Sequence, residues 1–339
     1  MKRPRLVILR ALGLGDLLTA VPALRGLAEA FPDHHRVLLA PRALTPLLEL
    51  IRDTGGRPVI DEPLDTAALT RLDGRLGNPA VAVNLHGRGP QSHRLLLELE
   101  PARLIAFAHR GVPESRSGPP WWAQEHEVTR WCRLLGDSDI ACEPAALDID
   151  RPSPGAARRL LARGATLLHP GAASAARRWP PERWAAVAAA ESSAGRSVVI
   201  SGGCDEVDLA RRVARAARLA PASVIAGQTD LGQLAAAVDR AGRVVCSDTG
   251  VAHLATALGT PSVVLFGPTS PDLWGPPAAR AEHRALWKGS GRGDPHGEEP
   301  DADLMKIGIG DVLDALRRLP RSHARAGGAR PSDAGARAA

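Results

Sequence analysis

The stretch at 246–268, CSDTGVAHLATALGTPSVVLFGP, constrains the chain more than any other. An apolar run, Val244-Val245-Cys246, ends abruptly in Ser247-Asp248-Thr249-Gly250, where capping side chains and a glycine allow a sharp turn. Val251, Leu254, Ala255 and Leu258 then recur at helical spacing, and Gly259-Thr260-Pro261 stops the helix. A second buried strand follows at 262–266. A strand that opens straight into a helix N-terminus beside a parallel sheet is a place for an anion, because free N–H groups and the helix dipole both favour one. His253 falls in the first turn of that helix, close to where the anion would lie. The plain alternative is an ordinary βαβ unit in which Asp248 only caps the helix.

The chain begins with the same pattern. Residues 6–9 form a strand apolar throughout, hence central and covered on both faces. The loop Arg10-Ala11-Leu12-Gly13-Leu14-Gly15-Asp16 leads into a helix expected at about 17–30. Gly13 and Gly15 suggest a dinucleotide fingerprint, but Leu18 stands where the third glycine is needed, and no acidic residue closes the next strand at 37–39. An NAD site is therefore not expected, and the glycines read as a loop passing close to a ligand in a cleft. Asp16 occupies an N-cap position. It is also a carboxylate at the C-terminal end of a strand, where α/β folds place their ligands. A helix N-terminus would depress its pKa and weaken it as a base.

A third strand end of this kind lies at 166–168, followed by His169-Pro170-Gly171-Ala172-Ala173-Ser174 and then Arg177 and Arg178. Small residues with two arginines before a helix near Pro180 make a second anion site, in which arginine would hold a phosphate by bidentate hydrogen bonds. In a chain this rich in arginine, a solvated pair is the competing reading.

Further helices are expected at 46–53, 66–76, 125–135, 206–217, 231–238 and 307–319. Further strands are expected at 58–60, 80–85, 104–107, 197–200 and 223–225. The loop His86-Gly87-Arg88-Gly89 could line a cleft or be a plain turn. Strands alternating with helices indicate α/β with parallel sheets. A length of 339 residues suits two domains, and the Pro-rich 148–154 marks the junction. The expected halves are 1–150 and 151–319, with a disordered Ala/Gly/Arg/Ser tail at 320–339.

A net charge of +6 favours anionic partners. Absence of Tyr and 3% aromatic content leave few stacking platforms, so nucleic acid is not expected as a partner. The four cysteines make no CxxC pair and no zinc pattern, and read as reduced, mostly buried thiols of a cytoplasmic protein. No signal peptide precedes the first strand and no apolar run spans a bilayer. Membrane contact, where it occurs, is expected to be peripheral and with an anionic surface.

Three segments together, ILRALGLGDLLTAVPALRGLAEAFP, HPGAASAARRWPPERWAAVA and SDTGVAHLATALGTPSVVLFGPTSPDLWGP, resemble glycosyltransferase family 9, the heptosyltransferase family. The resemblance covers about 5–320. It implies the GT-B architecture, two Rossmann-like domains facing across a cleft, and an inverting, metal-independent transfer with no cofactor. The donor would be a nucleotide sugar such as ADP-heptose, and the acceptor a glycan or glycolipid, as in lipopolysaccharide core assembly. By the same resemblance Asp16 matches the general base, and Asp248, Thr249, Gly250 and His253 match the motif that holds the donor's diphosphate and sugar. Ser174 and Arg177 join them on the donor side. Arg177 stands where many members carry lysine in a K-x-W-P pattern, completed here by Trp179 and Pro180. Two other readings remain at this point: another GT-B enzyme such as a nucleotide-sugar epimerase, and a non-catalytic nucleotide- or glycan-binding protein of the same fold.

Overall fold

The computed structural model describes residues 3–66, 69, 71–153, 155, 159–291 and 293–320. Strand β1 (Arg5–Leu9) leads into α1 (Leu14–Thr19) and α2 (Val21–Ala30), then β2 (His35–Ala40), α3 (Thr45–Leu48) and β3 (Glu62–Asp65). β4 (Val81–Asn84), α4 (Gln91–Leu97), β5 (Arg103–Ile105) and α5 (Glu127–Gly136) complete the first half. The second half runs β6 (Thr166–His169), α6 (Pro181–Ser193), β7 (Val198–Ile200), α7 (Val207–Ala216), α8 (Leu231–Arg240), β8 (Arg243–Ser247), α9 (Gly250–Leu258) and β9 (Ser262–Leu265). It closes with α10 (Pro271–Trp274), β10 (His283–Leu286), α11 (Ala302–Met305) and α12 (Ile309–Arg318).

The strands form two five-stranded sheets, in the orders β3-β2-β1-β4-β5 and β10-β9-β8-β6-β7, with every described pairing parallel. The order reverses beside β1 in one sheet and beside β8 and β6 in the other, which is where α/β folds open a crevice at the strands' C-terminal ends. Alternation along β1 divides its side chains between two layers. Leu6 and Ile8 face the large core between the sheets, and Val7 and Leu9 face a smaller outer core with Leu95 and Leu96. In β8, Val244 and Cys246 join the same large core, while Val245 faces a separate outer cluster with Trp179 and Trp184.

That central core is continuous across both halves, running from Leu17, Leu24 and Leu47 to Leu234, Val238, Val251 and Leu254. At its middle, α1 lies against α9. An added Cβ on Gly15 would come within 2.9 Å of the His253 ring, and one on Gly250 within 2.7 Å of Leu14. Only glycines let these two helix starts approach so closely. Gly259 ends α9 in the left-handed region (φ 65°), as the Gly-Thr-Pro stop requires.

Several expectations are corrected. The single helix at 17–30 starts at Leu14 and breaks at Ala20, ahead of Pro22. Asp16 is therefore not an N-cap but the third residue of α1, with Gly13 at the cap. The strand expected at 58–60 is displaced to Glu62–Asp65, where Pro63 is tolerated because β3 is an edge. The helix expected at 66–76 leaves only a 3₁₀ turn at Gly74–Leu76 among the described residues; 67, 68 and 70 lie outside them. The strand at 223–225 shrinks to one bridge, Ile200 to Val224, because Pro221 starts a 3₁₀ turn. Of the expected tail, 321–339 lie outside the described residues.

The cysteine reading is also corrected. Cys132 on α5 and Cys142 are joined in a disulfide, with Cα atoms 5.1 Å apart; Cys204 is exposed and Cys246 buried. The pairing arises because the chain turns back after α5. Asp139 takes a positive φ of 61° and Ile140 N–H donates to Leu135, which lays Cys142 against the helix. Among the described residues no helix is long and apolar enough to cross a membrane.

Candidate functional site

The predicted residues come from three strand ends: Gly13, Gly15 and Asp16 after β1, Ser174 and Arg177 after β6, and Asp248, Thr249, Gly250 and His253 after β8. β6 and β8 are neighbours, so the second and third groups share one sheet edge. The Gly15–His253 approach brings the first group against them from the other half.

On the second-half side, Arg177 Nη1 donates to the Asp248 backbone carbonyl at 3.1 Å, and its Nε reaches Ser174 Oγ at 3.5 Å. Ser174 Oγ in turn donates to the Pro295 carbonyl at 2.6 Å, so the loop at 293–297 closes over this corner. The arginine is thus pinned beside the start of α9 rather than left as a solvated charge. Asp248 is buried, and desolvation raises its pKa to about 6 against the pull of Arg177.

Thr249 is the N-cap of α9, yet its side chain makes no capping bond. Thr249 Oγ1 and Ser247 Oγ are both buried without a hydrogen-bond partner among the described residues. Buried hydroxyls of this kind cost free energy unless something binds them. Two of them lie at this helix start, next to the residue whose carbonyl Arg177 holds.

His253 stands one turn further on, its ring edge-on to Trp274 at 5.8 Å. Desolvation pushes its pKa down to about 4; the His126 imidazole acts in the same direction and Glu127 opposes it. At neutral pH it is an uncharged imidazole, able to donate or accept one hydrogen bond.

On the first-half side, Asp16 Oδ2 accepts the Gly13 N–H at 3.2 Å, closing the first turn of α1. Its side chain keeps 28% of its exposure. Burial raises its pKa despite Arg10, and Glu127 adds to the rise. Desolvation therefore outweighs the depression that a helix start would give, and the carboxylate is a better base than the sequence suggests.

Sequence reasoning missed Arg10, Glu127 and His126. Arg10 is fully buried and donates to the Asp16 backbone carbonyl (2.8 Å), the Leu85 carbonyl, Thr19 Oγ1 (3.2 Å) and Glu127 Oε1 (3.1 Å). Its guanidinium stacks over Trp131 at 4.7 Å. His126 caps α5 and pairs its Nε2 with the Gly275 carbonyl at 3.0 Å, a bond between the halves. The only hint in the sequence was His126-Glu127 at a helix start. Arg88, in the His86–Gly89 loop, is exposed, and His86 keeps a buried, unpartnered Nδ1.

Among the described residues no group of three or more His, Cys, Asp or Glu could hold a metal ion. Along the contact of α1 with α9 lie a carboxylate, two unpartnered hydroxyls near an arginine, and a neutral imidazole.

A family model described as glycosyltransferase family 9 (heptosyltransferase) matches residues 115–291, just over half of the chain. Lipopolysaccharide heptosyltransferase 3 of Escherichia coli is 28% identical over 158 residues, which are 45% of this chain and 46% of that protein. The chain thus spans about half the length of the curated relatives it matches. Among solved structures, a glycosyl transferase family 9 protein of Veillonella parvula superposes with a TM-score of 0.76 at 20% identity, covering 94% of this chain and 97% of that one. E. coli heptosyltransferase WaaC with ADP-2-deoxy-2-fluoro heptose superposes with a TM-score of 0.63 at 17% identity, over 92% and 99% of the two chains.

Proposed function

The chain belongs to glycosyltransferase family 9, and from that premise we propose that it is an inverting glycosyltransferase using a nucleotide-diphosphate sugar. ADP-heptose is the donor we propose, and a hydroxyl of a glycan or glycolipid is the acceptor. We place the reaction in the cytoplasm, at an anionic membrane face. Residues 1–150 serve as the acceptor-side domain and 151–319 as the donor-side domain.

The observation that supports this reading is the abutment of α1 and α9, with Asp16 on one helix and, at the start of the other, the unpartnered hydroxyls that we read as an oxyanion cradle. In the reaction, the acceptor oxygen attacks the anomeric carbon while Asp16 takes its proton. The bond from that carbon to the diphosphate breaks, and the diphosphate leaves with the electron pair. The start of α9, the Thr249 and Ser247 hydroxyls and Arg177 stabilise the charge that develops there. His253, uncharged, hydrogen-bonds the sugar or a phosphate oxygen. The chemistry needs no metal, since the cradle and arginine supply the positive field.

The test is a thermal-shift series with ADP-heptose, other nucleotide-diphosphate sugars and free nucleotides, followed by assay of ADP release with acceptor. ADP-heptose should raise the Tm by mass action. Asp16→Asn should keep that shift and lose about 100- to 10,000-fold in turnover, the usual worth of a general base. Failure of every nucleotide sugar to stabilise the protein would overturn the reading, and full turnover in Asp16→Asn would remove the residue from the mechanism.

A further inference from the structure

Arg10 poses a problem for a base at Asp16. A guanidinium that bonded this carboxylate directly would hold it ionised and inert. Its Nη2 lies 3.7 Å from Asp16 Oδ1, beyond hydrogen-bond reach. Guanidinium carries five N–H donors, two of them on Nη2. Both Nη2 hydrogens are committed, to Thr19 Oγ1 at 3.2 Å and Glu127 Oε1 at 3.1 Å. The Nε hydrogen goes to the Asp16 backbone rather than its carboxylate.

Glu127 is itself tied on both oxygens. Trp131 Nε1 donates to Oε1 at 2.8 Å, Arg130 Nη1 donates to Oε2, and the carboxylate is buried. It cannot swing away from Arg10 without leaving buried donors unpaired. Among the described residues, Glu127 also bears on the titration of both Asp16 and His253.

We propose that Glu127 is a positioning residue for the transfer reaction: by engaging Arg10 together with Thr19, it keeps that guanidinium off the Asp16 carboxylate and leaves Oδ1 free to take the acceptor's proton. This rests on the reading of Asp16 as the base. The groups bearing on Asp16 are Arg10 from the end of β1 and Glu127 from α5. His253 approaches from α9 across Gly15 with His126 beside it, and His86, at the end of β4, adjoins Arg10. Of these, Glu127 alone both opposes Arg10's charge and occupies its hydrogen.

Glu127→Gln removes the counter-charge, and Thr19→Val, a milder change, frees one Nη2 hydrogen. Thr19→Val should let Arg10 bond Asp16; in Glu127→Gln the amide oxygen still accepts the Nη2 hydrogen, and Asp16 feels the guanidinium more strongly through the lost counter-charge. The readout that does not need turnover is a ¹³C-carboxylate NMR titration of the full, ligand-free chain, with the Asp16 signal assigned by its loss in Asp16→Asn. The Asp16 midpoint should fall by roughly one unit in either variant. In the transfer assay the acid limb of kcat/KM should move to lower pH by the same amount, with kcat down about 3- to 10-fold and the donor KM little changed. Two folded variants with an unmoved Asp16 midpoint would overturn the proposal, as would a KM rise without a shifted pH profile. Should Glu127→Gln fail to fold, Thr19→Val alone decides. A moved midpoint in a protein that transfers no sugar would uphold the Arg10–Glu127–Asp16 coupling and sink only the assigned reaction.

Discussion

Burial acts in opposite directions on two titrating residues at the start of α9. It raises Asp248 to about 6 and lowers His253 to about 4. Asp248 binds its proton more tightly when folded, so its contribution is fully favourable below the unfolded value near 4 and is lost as pH rises through about 6. His253 runs the other way: its neutral form is favoured on folding, and that contribution is lost as pH falls from about 6.5 through about 4. Asp248→Asn should therefore stabilise the ligand-free protein at pH 7.5, by about 2 kcal/mol, and give almost nothing at pH 4. Urea denaturation at the two pH values checks this, and an equal effect at both would show that Asp248 is not held above its ordinary range. Asp248, Thr249 and His253 were legible in the sequence because a strand, a turn and a helix announce where their side chains fall. Arg10 and Glu127 were not. One is an arginine among many, and the other an acid in a helix's first turn, where the dipole alone would account for it. Their partnership exists only because the fold brings the end of β1 to the start of α5, 117 residues away at the contact.

At the scale of elements, the seam between α1 and α9 depends on two residues lacking a Cβ. Gly250→Ala would push a methyl to 2.7 Å from the Leu14 Cβ, with further Leu14 atoms at 2.7 and 2.9 Å. Leu14 begins α1, so relief must shift that helix and Asp16 with it. The expected cost is about 1–3 kcal/mol of stability by overpacking, with turnover falling further than the donor-induced thermal shift. Gly15→Ala meets the His253 ring at 2.9 Å, an edge that can move, and should be milder in stability but weaken donor retention. Comparison of Tm, with and without ADP, for the two variants separates these effects. A Gly250→Ala protein as active and stable as its parent would show that the helix starts need not touch. The central strands of both sheets could be read from apolar runs, since parallel strands covered on both faces carry nothing else. The edges could not: β10 reads His-Arg-Ala-Leu, two of whose side chains face solvent, and β3 contains a proline. Edge strands lack a second neighbour to impose a pattern, so the sequence there records solvent as much as sheet.

For the whole molecule, the two sheets do not merely face each other; one apolar core runs between them. The connecting segment is fastened to both. Arg25 on α2 donates from Nε to the Arg52 carbonyl at 2.7 Å and from its Nη atoms to the carbonyls of Ala146 and Asp148. Arg280, beyond β9, holds the Asp148 carboxylate at 2.9 Å and the Thr256 carbonyl at 2.9 Å. The exposed Arg280–Asp148 pair contributes little by itself, so cohesion must come from the buried surface. A chain of two independent lobes would unfold in two steps. With Leu17, Leu47, Leu234 and Val251 in one layer, opening either sheet exposes the apolar face of the other, and the cost of separation joins the cost of unfolding. Tryptophans report on each half: Trp121 and Trp131 pack around Phe107 in the first, and Trp179 and Trp184 meet edge-on in the second. Replacing Trp121, Trp122 and Trp131 by Phe leaves only second-half tryptophans to follow, and replacing Trp179, Trp184, Trp274 and Trp287 leaves only those of the first half. Both reporters should give the same denaturation midpoint, coincident with far-ultraviolet circular dichroism. Two separated midpoints would mean that the halves part before they melt, and that the shared core does not couple them.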